Sequence, residues 1–411
     1  MKIVKAECIT LDIPFYAQRV TRAMQRASTH GERVGVFRLE LEDGTVGYGD
    51  NHGGGGPVDH LVGQNALALA YQDSVGYGPQ LALFDAIGKA AGVPVYQLLG
   101  TKVRDRCPVS WWDIDMPAQD WAAEARESIK RGYTCIKLKA RPWRDIIHQV
   151  EIVSKAVPRD YKFDIDFNGF LLTPAKAEII LAQLDERDNV GMYESPFYLH
   201  RNLDDARLIR ERARKPVIEH FQEQYLAAHC ADGFVIGGGF QSTRRSGELA
   251  AAFNKPFWLQ LVGTGITTAW AVHLGATLTH AQLPYITCHE LWKHSLLKKR
   301  LDVVDGYIAV SDAPGLGIEV DEKALAKYQV DPDSPTPKDR YQQKKRILQI
   351  NWPGPGKHRR VWEFTNEARY QQEFYQGNIP GFERGVTLDV IENDNSAAFK
   401  KTHAKLVTQG R

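Results

Sequence analysis

From Cys107 to Cys288 the chain alternates short apolar runs with amphipathic stretches, each interval close to one strand-plus-helix unit. That rhythm constrains the fold more than any other feature of the sequence. Cys135–Lys139, Tyr161–Phe167, Gly191–Glu194, Pro216–Glu219, Phe234–Ile236, Phe257–Leu261 and Tyr285–Cys288 read as strands. Between them, a helix after Pro117 ends near Gly132, and Thr173-Pro174 supplies a cap and a first-turn proline for another. Repeated βα units predict a parallel sheet, and this many favour a closed barrel over an open sheet. A doubly wound sheet is the alternative, weakened because no G-x-G-x-x-G follows the first strand.

The first hundred residues follow a different pattern and predict an α+β unit. Lys2–Ile13 and Val34–Tyr48 read as strands, the second broken at the Glu42-Asp43-Gly44 turn. Tyr16–Glu32 is polar without clear periodicity, Asn51–Gly56 is glycine-rich, and Leu81–Ala91 has helical spacing ended by Gly92 and Pro94. Beyond about Val330, Asp331–Pro337 and Trp352–Gly356 read as linkers. The remaining tail is charged and weakly periodic, an extension expected to wrap the surface or a neighbouring subunit.

Charge excludes some functions. Fifty-two basic and 50 acidic residues nearly cancel, so neither nucleic acid nor a membrane surface is an expected partner. Met1–Phe15 lacks the apolar core of a signal peptide, and no run approaches the ~18 residues of a membrane span. Cys8, Cys107, Cys135, Cys230 and Cys288 show no C-x-x-C spacing and read as reduced thiols. A cytoplasmic protein is expected.

Barrel enzymes carry their chemistry at the C-terminal ends of strands. There stand Lys139, Asp166, Glu194 and Glu219, separated by 27, 28 and 25 residues. Three carboxylates brought to one point would repel unless a cation sat among them. Oxygen-only ligands select a hard ion, Mg²⁺ being the usual one.

These residues sit in motifs that resemble the enolase superfamily. Ala82–Lys89 with Gly92–Gly100 is similar to a helix of its capping domain, and Gly132–Lys139 to its K-x-K strand. Asp166-Phe167-Asn168 resembles its D-x-N, Glu194-Ser195-Pro196 its E-x-P, and Glu219-His220 its G-E-H, with Ile218 in place of the glycine. Gly238-Gly239 and Pro314–Glu319 resemble its later motifs, and glutamate as third ligand leans toward the mandelate racemase branch. The resemblance covers residues 1 to about 330. It implies a capping domain over 1–106, completed by about 301–330, and a modified TIM barrel over 107–300. The extension, 331–411, stays unexplained by it.

The implied chemistry is removal of the proton beside a substrate carboxylate, giving an enediolate. Asp166, Glu194 and Glu219 would hold Mg²⁺, and Lys139 would be the base. Lys137, two residues away on the same face, would help lower its pKa or pair with Asp164 or Asp166. His220 is a candidate acid or a support for the neighbouring ligand, Glu290 a candidate to hydrogen-bond the enediolate or to cap the following helix, and Asn168, Gln260 and His289 are candidate substrate contacts. Branch members often have a histidine at the end of strand seven; here Gln260 stands there, and strand six ends in Ile236-Gly237. Two-base racemisation is therefore disfavoured. The leading expectation is dehydration of a sugar acid by a homo-oligomer. An isomerase is the alternative enzyme, and a metal-binding barrel without turnover the alternative of another class. The Tyr16–Glu32 and Asn51–Gly56 loops are expected to close over the mouth.

Overall fold

The computed structural model describes every residue except Ser28 and Thr29, which fall within the first of those expected loops. Three antiparallel strands, Ile3–Asp12, Arg33–Leu41 and Val46–His52, form the N-terminal sheet. Helix Tyr77–Ala91 packs on it so closely that a Cβ at Gly47 or Gly49 would lie 2.2 or 2.1 Å from helix carbonyl oxygens. Gly92, left-handed at φ 70°, ends that helix.

Seven parallel strands follow in strict chain order: Trp111–Asp113, Cys135–Lys139, Lys162–Asp166, Val190–Glu194, Val217–His220, Gly233–Ile236 and Phe257–Leu259. Sequential order rejects the doubly wound alternative, which reverses direction partway across the sheet. The expected eighth strand, Tyr285–Cys288, is reduced to single bridges. Tyr285 pairs with Val109 and Ile286 with Gln260, which joins the seventh strand to the first and closes the ring. Cys288 is left-handed at φ 57°, so the backbone turns away before a longer ladder can form.

Two expectations need correction. Tyr16–Glu32 is not a featureless loop, because Gln18–Ala27 is a helix burying Val20, Ala23 and Met24. Those residues have i, i+3, i+4 spacing, a signal hidden among three arginines and two glutamines. Within the extension, the stretches read as linkers also need correction. Arg360–Phe364, Arg346–Trp352 and Thr387–Glu392 make an antiparallel sheet with Arg346–Trp352 in the centre. Thr336-Pro337, read as linker, caps and begins helix Pro337–Gln342, and Pro353–Gly356 lies in the turn between two strands of this sheet.

The extension sits on loops leaving the C-terminal ends of barrel strands. Tyr370 and Phe374 pack against Trp143 and Phe170, and Phe382 against Phe167. Buried Asp115 ties the layers together by accepting from Arg144 (3.0 Å), Trp143 (2.6 Å) and Arg26 of the N-terminal helix. Arg26 in turn bonds Glu367 of the extension at 2.9 Å. Among the described residues no helix is long and apolar enough to cross a membrane, and all five cysteines are free.

A second tie fixes the N-terminal sheet to the barrel. Asp50, wholly buried, accepts from the Thr264 and Thr267 backbone amides at 2.6 and 2.8 Å and from the Thr267 hydroxyl at 2.6 Å. It thus caps the first turn of helix Gly265–Gly275 from outside. Asp50→Ala should cost at least about 1–3 kcal/mol, since each buried donor left unpaired costs that order. Urea unfolding would measure it; unchanged stability would remove Asp50 as the tie.

Candidate active site

Strand register brings the chemistry together. Lys139 lies beside Asp166, and Asp166 beside Glu194, across three neighbouring strands. Period two puts Lys137 on the same face as Lys139. The Lys137 ammonium, 1% exposed, ion-pairs with Glu194, lies 3.4 Å from Asp166 and donates to Gln260 Oε1 at 2.8 Å. It also stands 5.2 Å from the centre of the Trp258 ring. Burial alone would discharge it, but Glu194 and Asp166 outweigh burial and raise its pKa.

Lys139 is shifted the other way. It ion-pairs with Asp166, yet burial, aided by the Lys137 ammonium, takes its pKa below the ordinary lysine value. Asp166 is held well below the carboxylate range: burial opposes this, and the two lysines overcome it. Its Oδ1 also accepts from the backbone amide of Asn168 at 2.9 Å, at a left-handed residue. The contact made by Asn168 is thus with Asp166, through backbone.

Glu219 is turned differently. It accepts from the Ser195 hydroxyl at 2.7 Å and the His220 amide at 2.8 Å. Burial nevertheless raises its pKa to about 7. His220, 54% exposed, places Nε2 3.4 Å from Glu194; burial works against its charge, and Glu194 reverses the balance and raises its pKa. Among the described residues no three His, Cys, Asp or Glu side chains already form a metal-sized cage. Asp166 and Glu194 converge on a cation, but that cation is Lys137. The donor set still fits Mg²⁺ in kind. It is all oxygen, and among the described residues none makes a well-aligned hydrogen bond to either oxygen of buried Glu194.

A second acidic group lines the first-strand side. Glu290 accepts from the Trp112 amide at 2.7 Å, and burial pushes its pKa up to about 8. Asp113, at the end of the first barrel strand, is wholly buried, and among the described residues no hydrogen-bond donor meets either of its oxygens. Burial, then Glu124 and Glu290, raise its pKa well above the ordinary range. Glu124 is bound by Tyr16 and Arg19 from the N-terminal segment, which therefore borders the mouth here. His289 does not face an open site. Tyr133 and Thr287 occupy its two ring nitrogens at 3.2 and 2.9 Å, and burial lowers its pKa to about 3. Gln260 is likewise engaged, by Lys137.

Sequence reasoning passed over Asp113, Arg141 and His30. Asp113 obeys the strand-end rule that identified Asp166, but Trp111-Trp112-Asp113 is too short to announce a strand. Arg141, two residues beyond Lys139, lies 5.2 Å from the Phe170 ring centre, and burial lowers its pKa against the pull of Asp166. His30 packs 5.1 Å from both Trp112 and His52; burial, with His52 and the lysines behind it, lowers its pKa to about 3. A histidine in a polar segment carries no signal that it faces lysines more than a hundred residues away.

Comparison with known proteins bears on the family and the fold. Residues 120–324 match the family described as enolase C-terminal domain-like. D-xylonate dehydratase of Haloferax volcanii is 25% identical over 359 residues, spanning 72% of this chain and 85% of that protein. D-gluconate dehydratase of Thermoproteus tenax is 26% identical over 279 residues, spanning 61% of this chain and 55% of that protein. The crystal structure of N-succinyl Arg/Lys racemase from Bacillus cereus ATCC 14579 has the same fold. Its TM-score is 0.67 at 20% identity, over 80% of this chain and 99% of that one.

Proposed function

Because the chain belongs to the enolase superfamily, we propose that it removes the proton α to a substrate carboxylate, most simply to dehydrate a sugar acid. The observation that carries this reading is the pair of lysines with opposed pKa shifts beside Asp166 and Glu194. Asp166, Glu194 and Glu219 would hold Mg²⁺, which supplies fixed positive charge beside the substrate carboxylate. Lys137 stays an ammonium and keeps a second positive charge at the site. Lys139, more easily deprotonated, takes the α-proton. Glu290, protonated near neutral pH, donates a hydrogen bond to the oxygen on which charge develops. Asp113 carries no charge to repel that oxygen while its pKa stays raised.

Dehydration then needs an acid for the leaving hydroxyl, and His220 or the protonated Lys139 supplies it. Dehydratases among the relatives support the dehydration reading. The isomerase reading draws on His220, whose imidazole is half exposed and more basic than usual. Incubating the Mg²⁺-loaded protein with a library of acid sugars separates the two, by loss of water or inversion without loss. If no acid sugar reacts or exchanges its α-proton with D₂O, the proposal fails.

The shifts of Lys139 and Glu290 set the expected pH dependence. Activity should fall at low pH as Lys139 is protonated, and at high pH as Glu290 ionises near 8. Gln at position 290 donates through an amide that does not titrate. Glu290→Gln should therefore lose about 10–100-fold at the optimum and no longer show the limb near pH 8. A profile of kcat/KM with an unchanged alkaline limb would reassign Glu290.

A further inference from the structure

We propose that a cavity between the C-terminal extension and the N-terminal helix binds a small oxyanion, a carboxylate or phosphate group. The cavity, about 470 Å³, is lined by Arg26, Lys338, Arg346, Thr365, Asn366 and Glu367, among others. Three cations thus face it against one carboxylate. That carboxylate is already bonded to Arg26, and Arg26 is bonded again to Asp115.

Arg346 is the decisive residue. It begins the central strand of the extension sheet and is 5% exposed. Its Nε and Nη1 find no hydrogen-bond acceptor among the described residues, and no ion pair to it is present. Its guanidinium carbon lies 4.7 Å from the centre of the Tyr341 ring. A buried guanidinium without an acceptor is costly to keep, and an anion brought into the cavity would relieve that cost. Lys338 adds a half-buried ammonium from helix Pro337–Gln342.

Backbone geometry points the same way. Thr365, Asn366, Glu367 and Ala368, all lining the cavity, are the entry and first turn of helix Glu367–Tyr375. The positive end of that helix therefore opens on the same space as the three cations. Lys137, Lys139, Asp166, Glu194 and Glu219 do not line it, so the site is distinct from the residues of the proposed reaction.

Calorimetric titration of the full chain with inorganic phosphate and, separately, malonate tests the assignment. One saturable site is expected for at least one probe, weakening with added salt, and the better probe identifies the anion as phosphate or carboxylate. Arg346→Met should weaken binding at least tenfold. Because that variant removes an unpaired buried charge, its melting temperature without anion should not fall. Lys338→Met, at a half-buried helix position, gives a second reading should the first variant fold poorly, and should weaken binding several-fold. Lys139→Ala should leave the titration unchanged. Absence of saturable binding by both probes overturns the site, as does loss of binding in Lys139→Ala with retention in Lys338→Met.

Discussion

Lys139→Ala should abolish α-proton exchange and lower turnover by about 10²–10⁴-fold, the span general base catalysis supplies. The fold should survive. Lys139 is at the mouth, and its Asp166 partner keeps Lys137 at 3.4 Å and the Asn168 amide at 2.9 Å. In D₂O the parent enzyme should wash deuterium into one epimer of a substrate or slow analogue. The reason is the other side of the site: Gln260 has no titrating group, and its oxygen is already occupied by Lys137. His220 is the group able to break that rule. Single His220→Asn and Lys139→Ala variants, with exchange followed by NMR at each face, would divide the work. Exchange into both epimers that survives Lys139→Ala would end the assignment of Lys139 as base.

The barrel was legible because each strand carries its own local signal. Cys135–Lys139 appears in the structure with the bounds read from sequence, and Val190–Glu194 and Gly233–Ile236 begin one residue earlier. The strand-end charges were legible for the same reason, since position along a strand fixes the end of the barrel at which a side chain lies. Pairing among those charges was not legible. Nothing in the spacing shows that Lys137 stands between Asp166 and Glu194 while Glu219 turns to Ser195; rotamers and burial decide that. His289 fails similarly as a substrate contact, because Tyr133 and Thr287 reach it from other elements. The extension was hardest. Its strands carry outward polar residues at regular places, but Arg346 and Ile347 at the start of the central strand mask the alternation.

Glu194→Gln should produce two separable losses. Without metal, Glu194 is the ion-pair partner of a fully buried ammonium, with Asp166 farther away at 3.4 Å. Removing one partner of a buried pair costs about 3–5 kcal/mol, because the remaining charge stays desolvated. A glutamine oxygen can still accept from Lys137, so the lower part of that range is expected in urea unfolding. Adding Lys137→Met removes the stranded charge, and the double variant should recover most of the loss. Two single-variant losses that simply add would mean the two side chains do not depend on each other. The second loss concerns the ion. Mg²⁺ at a hundred times its dissociation constant should stabilise the parent by about 2.7 kcal/mol, by mass action on the folded state. In Glu194→Gln that increment should nearly vanish, and so should turnover. The Lys137→Met background makes the test sharper. If Lys137 holds the place between Asp166 and Glu194 in the metal-free protein, Mg²⁺ must displace it, and Lys137→Met alone should bind the ion more tightly while losing activity. Weaker Mg²⁺ binding in Lys137→Met would show that the ammonium does not compete for those carboxylates. Mg²⁺ stabilisation that persists undiminished in Glu194→Gln would remove Glu194 from the ligand set.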